Sequence, residues 1–253
     1  VTAGISRRQA LSALGGAAVL GACRSASPAT TAATTAPATT PAATTPPAPS
    51  ATGLAVVTAA SFAGAAACSV TPEQTEGPYY LDVDKIRADV REDRAGTRLR
   101  VAARVLHADG CTPVKDAVFE IWHCDAGGLY SGFEQASQGG GGGVSDTRRY
   151  LRGAQVTDAD GIAVVTTIYP GWYRGRTVHI HAKVALSNAA LLTTQLYFDE
   201  AVTTAVFQAA PYAAHTGRDT VNADDGIYRA ETTLTVTKDG DGYLGLITIG
   251  VGA

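Results

Sequence analysis

The chain has 253 residues, with 20 Lys and Arg against 23 Asp and Glu, a formal net charge of −3 and 45% apolar residues. That balance gives no basic footprint for nucleic acid, so no such partner is expected. Beyond the N-terminus there is no apolar run of about 18 residues, and the domain is read as soluble rather than membrane-spanning.

Residues 1–22 read as a targeting segment. Ser6-Arg7-Arg8-Gln9-Ala10-Leu11 is a twin-arginine pattern, followed by an apolar stretch from Ala10 to Ala22. Leu20-Gly21-Ala22-Cys23 resembles a lipoprotein cleavage box, which would make Cys23 the lipidated residue and the only membrane attachment. Residues 23–66 are dominated by Ala, Thr, Pro and Ser and are expected to be a disordered tether. Residues 67–253 then form one domain, outside the cell and held to its membrane.

Within that domain, alternation of period two keeps returning. Leu99 to Leu106, Ala117 to His123, Gly161 to Tyr169, Val178 to Leu186, Leu192 to Phe198, Thr232 to Val236 and Leu244 to Val251 read as strands. Short β-rich runs between Gly, Asp and Pro signals predict an all-β fold, an antiparallel β-sandwich with little helix. Arg87 to Arg94 and Ala201 to Ala209 are the two candidate helices. The run Gly139 to Gly143 has no Lys-Ser or Lys-Thr after it and reads as a surface loop, not a phosphate loop. Of Cys68, Cys111 and Cys124, the last two flank one strand region and are expected to lie too far apart to bridge, leaving Cys68 as the partner of either.

The chemistry begins at His179-Ile180-His181. On a strand, residues i and i+2 face the same way, so two imidazoles project side by side at a spacing that suits two positions on one metal. Val184 and Ala185 stand where a cupin would carry a carboxylate, which disfavours that site. A zinc hydratase needs a third His, and His107, His123 and His215 each read better as surface or core residues. Two tyrosines are near in sequence: Tyr173, in Pro170-Gly171-Trp172-Tyr173, and Tyr130, after Asp125-Ala126-Gly127-Gly128-Leu129. Tyrosinate is a hard anionic ligand and suits a trivalent metal better than zinc.

Five ordered segments resemble the intradiol ring-cleavage dioxygenases. They are Glu76-Gly77-Pro78-Tyr79-Tyr80, Glu120-Ile121-Trp122-His123-Cys124-Asp125-Ala126, Gly153 to Gly161, Tyr169 to His181, and Thr194-Gln195-Leu196-Tyr197-Phe198. The resemblance implies Fe(III) held by Tyr130, Tyr173, His179 and His181, with Arg176, Gln195 and Tyr173 serving the reaction. A small aromatic diol and O2 are the implied substrates and a muconate-type dicarboxylate the product. Trp122 is assigned to the pocket lining or the core, Tyr79 and Tyr80 to the pocket entrance, and Tyr150 and Tyr169 to packing. Only two residues separate Tyr173 from Arg176, far fewer than in the catechol and protocatechuate enzymes; this resembles the exported, single-domain branch of the family. Two other readings compete: a non-catalytic surface-anchored binding lipoprotein, and a zinc hydrolase or hydratase using the same His pair. The combined set of Tyr130, Tyr173, His179 and His181 argues against both.

Overall fold

In the strand Arg98–His107, Leu99, Val101, Ala103 and Val105 face one way and are buried in the main apolar core. The same period of two runs through the other strands of the computed structural model, which describes residues 53–63, 68–138, 143–187 and 189–252. The strands are β1 (Arg98–His107), β2 (Val118–Trp122), β3 (Arg152–Val156), β4 (Ile162–Ile168), β5 (His179–Leu186), β6 (Ala189–Tyr197), β7 (Thr235–Asp239) and β8 (Gly242–Val251). They form two four-stranded sheets, in the orders β4-β1-β8-β7 and β3-β2-β5-β6. Phe119 and Ile121 of β2, Ile180, Ala182 and Val184 of β5, and Leu192 and Leu196 of β6 join the β1 residues in one core. The described residues are thus all-β, with two short α-helices among them, α1 (Glu134–Ser137) and α2 (Glu200–Phe207).

The antiparallel expectation holds for the second sheet and fails at one pairing of the first. β1 and β8 run parallel, from Leu99 opposite Tyr243 to His107 opposite Val251. A parallel pair cannot be closed by a hairpin. Here most of the domain lies between the two strands, so the long connection comes without any dedicated crossover.

Other elements depart locally from the sequence reading. Arg87 to Arg94 is not helical: Ile86 and Asp89 make isolated bridges to Ala154 of β3 and Thr166 of β4, so this segment covers two sheet edges. The strand expected from Thr232 begins only at Thr235, after a 3-10 turn at Ala230–Thr232. The second expected helix is α2, where the Asp199 carboxylate accepts from the Ala201 N–H at 2.7 Å and fixes the start.

Part of the stretch expected to be a tether packs on the domain. Ala59–Phe62 forms a 3-10 turn, and Phe62 is buried against Ala102, Ile162 and Leu244. Ala55 donates its N–H to Asp239 and accepts from Arg100. One aromatic and two backbone pairings anchor a stretch whose composition reads as disordered. The targeting segment, Cys23 and the Gly139–Gly142 part of the glycine run lie outside the described residues. Cys68 bridges Cys111, with Cα atoms 5.3 Å apart, and Cys124 is free and buried.

Candidate functional site

Because Ile180, Ala182 and Val184 point into the core, His179, His181 and Lys183 stand on the opposite face of the second sheet. Strand register then builds a row across all four strands: Arg152 on β3, Trp122 on β2, His181 on β5 and Gln195 on β6. His179 pairs with Tyr197 in the next row. The sequence-predicted site residues therefore lie on the outer face, not between the sheets.

Two loops close over that face. One follows β2 and carries Tyr130; the other follows β4 and carries Tyr173. They are tied where the Gly171 N–H donates to the Asp125 carbonyl at 3.0 Å. A Cβ on Gly171 would sit 2.6 Å from the Ala126 carbonyl carbon, so only glycine permits this approach. Tyr173 then pairs with Arg176 across the two-residue turn Arg174-Gly175.

The polar tips converge. His179 Nε2 lies 3.2 Å from His181 Nε2 and 3.0 Å from the Tyr173 hydroxyl. His179 Nδ1–H donates to the Thr177 carbonyl at 2.7 Å, which fixes the tautomer and leaves Nε2 as a bare lone pair. The Tyr130 ring stands 5.7 Å from that of Tyr173 and 6.0 Å from that of His181. Its hydroxyl is buried with no hydrogen-bond partner. Burial lowers the His179 imidazole to about 3 and pushes the Tyr130 and Tyr173 phenols above the usual range.

Arg176 and Gln195 meet beside this cluster. Arg176 Nη2–H donates to Gln195 Oε1 at 2.6 Å, and its Nε–H donates to Asp225 at 2.8 Å. Gln195 is oriented by the Thr75 carbonyl, which accepts from its Nε2 at 2.9 Å. Burial works against the Asp225 charge, but the N–H groups of Ile227 and Thr177 and the Arg176 guanidinium outweigh it and hold that carboxyl below its usual range.

Trp122 stacks on the His181 imidazole, with centroids 5.0 Å apart and planes 8° from parallel. Tyr80 packs edge-on against Trp122, and Tyr79 against Tyr130. Tyr150 and Tyr169 are buried in the core, as expected. His123 is satisfied by the Cys124 carbonyl and Thr167, which leaves it no role as a ligand. Among the described residues no three His, Cys, Asp or Glu side chains form a metal-holding cluster.

Sequence reasoning missed Asp225, Gln74, Gly77 and Arg152. Gln74 accepts from the Gln195 N–H and donates to Tyr197. Gly77, at φ +74, would bring a Cβ within 3.0 Å of His181 Cε1. Asp225 and Gln74 sit in loops without period, and nothing in the sequence marks them. Gly77 and Arg152 lie in or beside the recognised motifs, where a backbone or buried-charge role was available to be asked about.

An all-β domain that carries two imidazoles and two phenols on one outer sheet face has the build of a dioxygenase domain. A family model described as Dioxygenase matches residues 75–224, and the chain belongs to that family, the intradiol ring-cleavage dioxygenases. It is 33% identical over 150 residues to catechol 1,2-dioxygenase 1 of Acinetobacter lwoffii, covering 49% of this chain and 45% of that one. A chlorocatechol 1,2-dioxygenase of Pseudomonas sp. is 30% identical over 145 residues, 49% and 54% of the two chains. The chain thus spans about half the length of these curated relatives. An intradiol ring-cleavage dioxygenase structure from Tetranychus urticae matches at 33% identity and TM-score 0.69, over 73% of this chain and 95% of that one. The dioxygenase domain of a carbohydrate-binding fusion from Streptomyces sp. SirexAA-E matches at 28% identity and TM-score 0.56, over 73% and 99%.

Proposed function

We propose that this chain is a non-haem Fe(III) dioxygenase that opens catechol-type rings between the two hydroxyls, consuming O2 and releasing a muconate-type dicarboxylate. The observation that carries the reading is that His181 Nε2 and the Tyr173 hydroxyl both lie within 3.2 Å of His179 Nε2, with the Tyr130 hydroxyl buried and unpartnered beside them. Two phenols, two imidazoles and no carboxylate make a hard donor set that fits a trivalent ion. When bound, Fe(III) would supply Lewis acidity and a two-point template for the diol.

The chain's own residues account for the rest. Tyr173, anchored to the short turn, is placed to accept a proton from the incoming diol. Arg176, held by Asp225 and Gln195, presents a fixed positive charge to the anion that develops on the ring. Gln195 Oε1 accepts from both Arg176 and Tyr197, so its amide is held in one orientation. Tyr79, Tyr80 and Gly77 cover the ligand face and limit water. The two sheets share one core, which supports describing them as the layers of a β-sandwich.

The test is the visible spectrum of the iron-loaded chain, before and after adding catechol without O2. Tyrosinate-to-iron charge transfer is expected to make it wine-red, with a shift to longer wavelength on catechol binding. A protein that stays colourless after iron loading would remove the reading.

The proposal extends to location: export by the twin-arginine route and anchorage by a lipid on Cys23. The disulfide Cys68–Cys111 supports an oxidising compartment. Labelling with a radioactive fatty acid tests it, and a Cys23→Ser chain that is still labelled would overturn it.

A further inference from the structure

Arg152 sits two strands from His181 in the same cross-sheet row, on the far side of Trp122. It is 1% exposed, an unusual place for a guanidinium. Its Nε and Nη2 donate only to neutral oxygens, the carbonyl and hydroxyl of Ser131, at 2.9–3.2 Å. Its Nη1 has no partner at all. Glu120, one row along the sheet, is engaged by the Tyr80 hydroxyl and makes no ion pair with Arg152. Glu120 acts on the guanidinium only at a distance, so this buried charge has no anion in contact with it, an arrangement that is strongly disfavoured.

Tyr130 has the complementary problem. Its ring centroid lies 6.0 Å from the Arg152 guanidinium carbon, its side chain is fully buried, and its hydroxyl lacks any partner. The Phe133 ring, also buried, lies 5.7 Å from the same carbon. One buried cation and one buried phenol therefore stand near each other in the interior, with Arg152 Nη1 and the Tyr130 hydroxyl both unpartnered.

We propose that Arg152 is the buried counter-charge of the anionic Tyr130 ligand, a positioning residue that acts on the metal only through that phenolate. The inference rests on reading Tyr130 as a ligand. A fixed positive charge beside the ring stabilises the phenolate electrons in a poorly screened interior. It favours the anionic ligand and makes it a weaker electron donor to the ion. Ser131 holds the guanidinium in place without neutralising it.

The test compares the full chain with Arg152→Gln and Arg152→Lys, each loaded with Fe(III). The readouts are the position of the tyrosinate charge-transfer band and the iron affinity against a competing chelator. Arg152→Gln keeps a polar contact to Ser131 and loses the charge. Its band is expected at longer wavelength and its iron held roughly tenfold more weakly. Arg152→Lys keeps the charge, loses the fork, and is expected to match the parent in both. An Arg152→Gln protein with the parent's band and affinity would overturn the proposal, as would an Arg152→Lys protein with a shifted band. If Arg152→Gln fails to fold, Arg152→Met removes the same charge while keeping the length of the side chain, and its band and affinity are read in the same way. A parent chain that shows no tyrosinate band with Fe(III) sinks the ligand reading itself, which separates that failure from loss of the counter-charge alone.

Discussion

His179 and His181 bring their Nε2 atoms to 3.2 Å, while His179 Nδ1–H is committed to the Thr177 carbonyl. Two neutral imidazoles facing lone pair to lone pair repel unless a proton or a cation lies between them. Trp122 and Gly77 hold the His181 ring in that orientation from two sides. Strand register therefore brings the two Nε2 atoms together before any loop contributes.

The first consequence concerns metal content. His181→Ala removes one of the two imidazoles, and the remaining three donors are expected to lose iron by at least a factor of about 100 in affinity. Iron stoichiometry of the purified variant checks it. A variant that retains one iron per chain after dialysis against a chelator would mean that the pair is not the metal's seat.

Tyr173→Phe is expected to behave differently. Phe keeps the ring that packs on Tyr130 and His179, so the pocket holds its shape and iron is expected to stay bound, but the group placed to take the diol's proton is gone. Turnover on catechol should fall by roughly 100-fold or more, within the usual range for losing a positioned base. The charge-transfer band should move as one phenolate disappears. Unchanged turnover with an unchanged spectrum would leave Tyr173 outside the site.

Asp225 is the third case, because it acts only through Arg176. Asp225→Asn keeps the shape but removes the charge facing Arg176 Nε, and its single amide oxygen can accept from the Thr177 side or the Ile227 side, not both. The guanidinium is then held by Gln195 alone and loses its fixed aim. Turnover is expected to drop by about tenfold, with little change in KM, since the charge on the ring develops after binding. Steady-state kinetics separate the two constants, and a KM rise at constant kcat would assign Asp225 to substrate binding instead.

Most of this site was legible in the sequence, for a definite reason. His179, His181 and Gln195 lie on strands, where a period of two tells which side chains share a face. The tyrosines were found because they sit in loops whose Pro and Gly residues make a recognisable motif. What escaped depends on contacts between segments far apart in the chain. Asp225 reaches Arg176 across 49 residues and Gln74 reaches Gln195 across 121, and no local pattern encodes either. The parallel pairing of β1 with β8 escaped for the same reason. Strand alternation is identical for parallel and antiparallel neighbours when one face is buried. Phe62 shows the converse: one buried aromatic in an Ala- and Thr-rich stretch is enough to dock it, and composition averages that residue away.

Gly77 makes a prediction about backbone conformation. At φ +74 an alanine costs about 1 kcal/mol in conformation alone, and its Cβ would press on His181 Cε1 at 3.0 Å. Gly77→Ala should lower both the Tm and the iron affinity, because relief of the contact must come from moving the imidazole. Thermal unfolding with and without Fe(III) tests it. A lowered Tm with unchanged iron affinity would show that the loop around Gly77 yields, and not the ligand.

Glu120 supplies a pH signature that the ligands do not. Burial raises its carboxyl from 4.5 to about 7; Lys183, the Tyr80 hydroxyl and Arg152 pull the other way without restoring it, and Asp82 adds to the rise. The folded chain thus binds this proton more tightly than the unfolded chain. The stability linked to Glu120 is full below pH 4.5 and is lost as pH climbs through 7. Buried His123 and His179, lowered to about 4 and about 3, run in the opposite sense and lose stability on acidification below their ordinary value of 6.5. The measurement is therefore a difference: denaturant unfolding of the parent and of Glu120→Gln from pH 5 to 8. Relative to the parent, the variant is expected to gain about 1–2 kcal/mol across that range, after allowing for solvent screening at a partly exposed site. A difference that stays flat with pH would mean that the carboxyl titrates in its ordinary range, and that Lys183 neutralises it more fully than its contact with Glu76 allows.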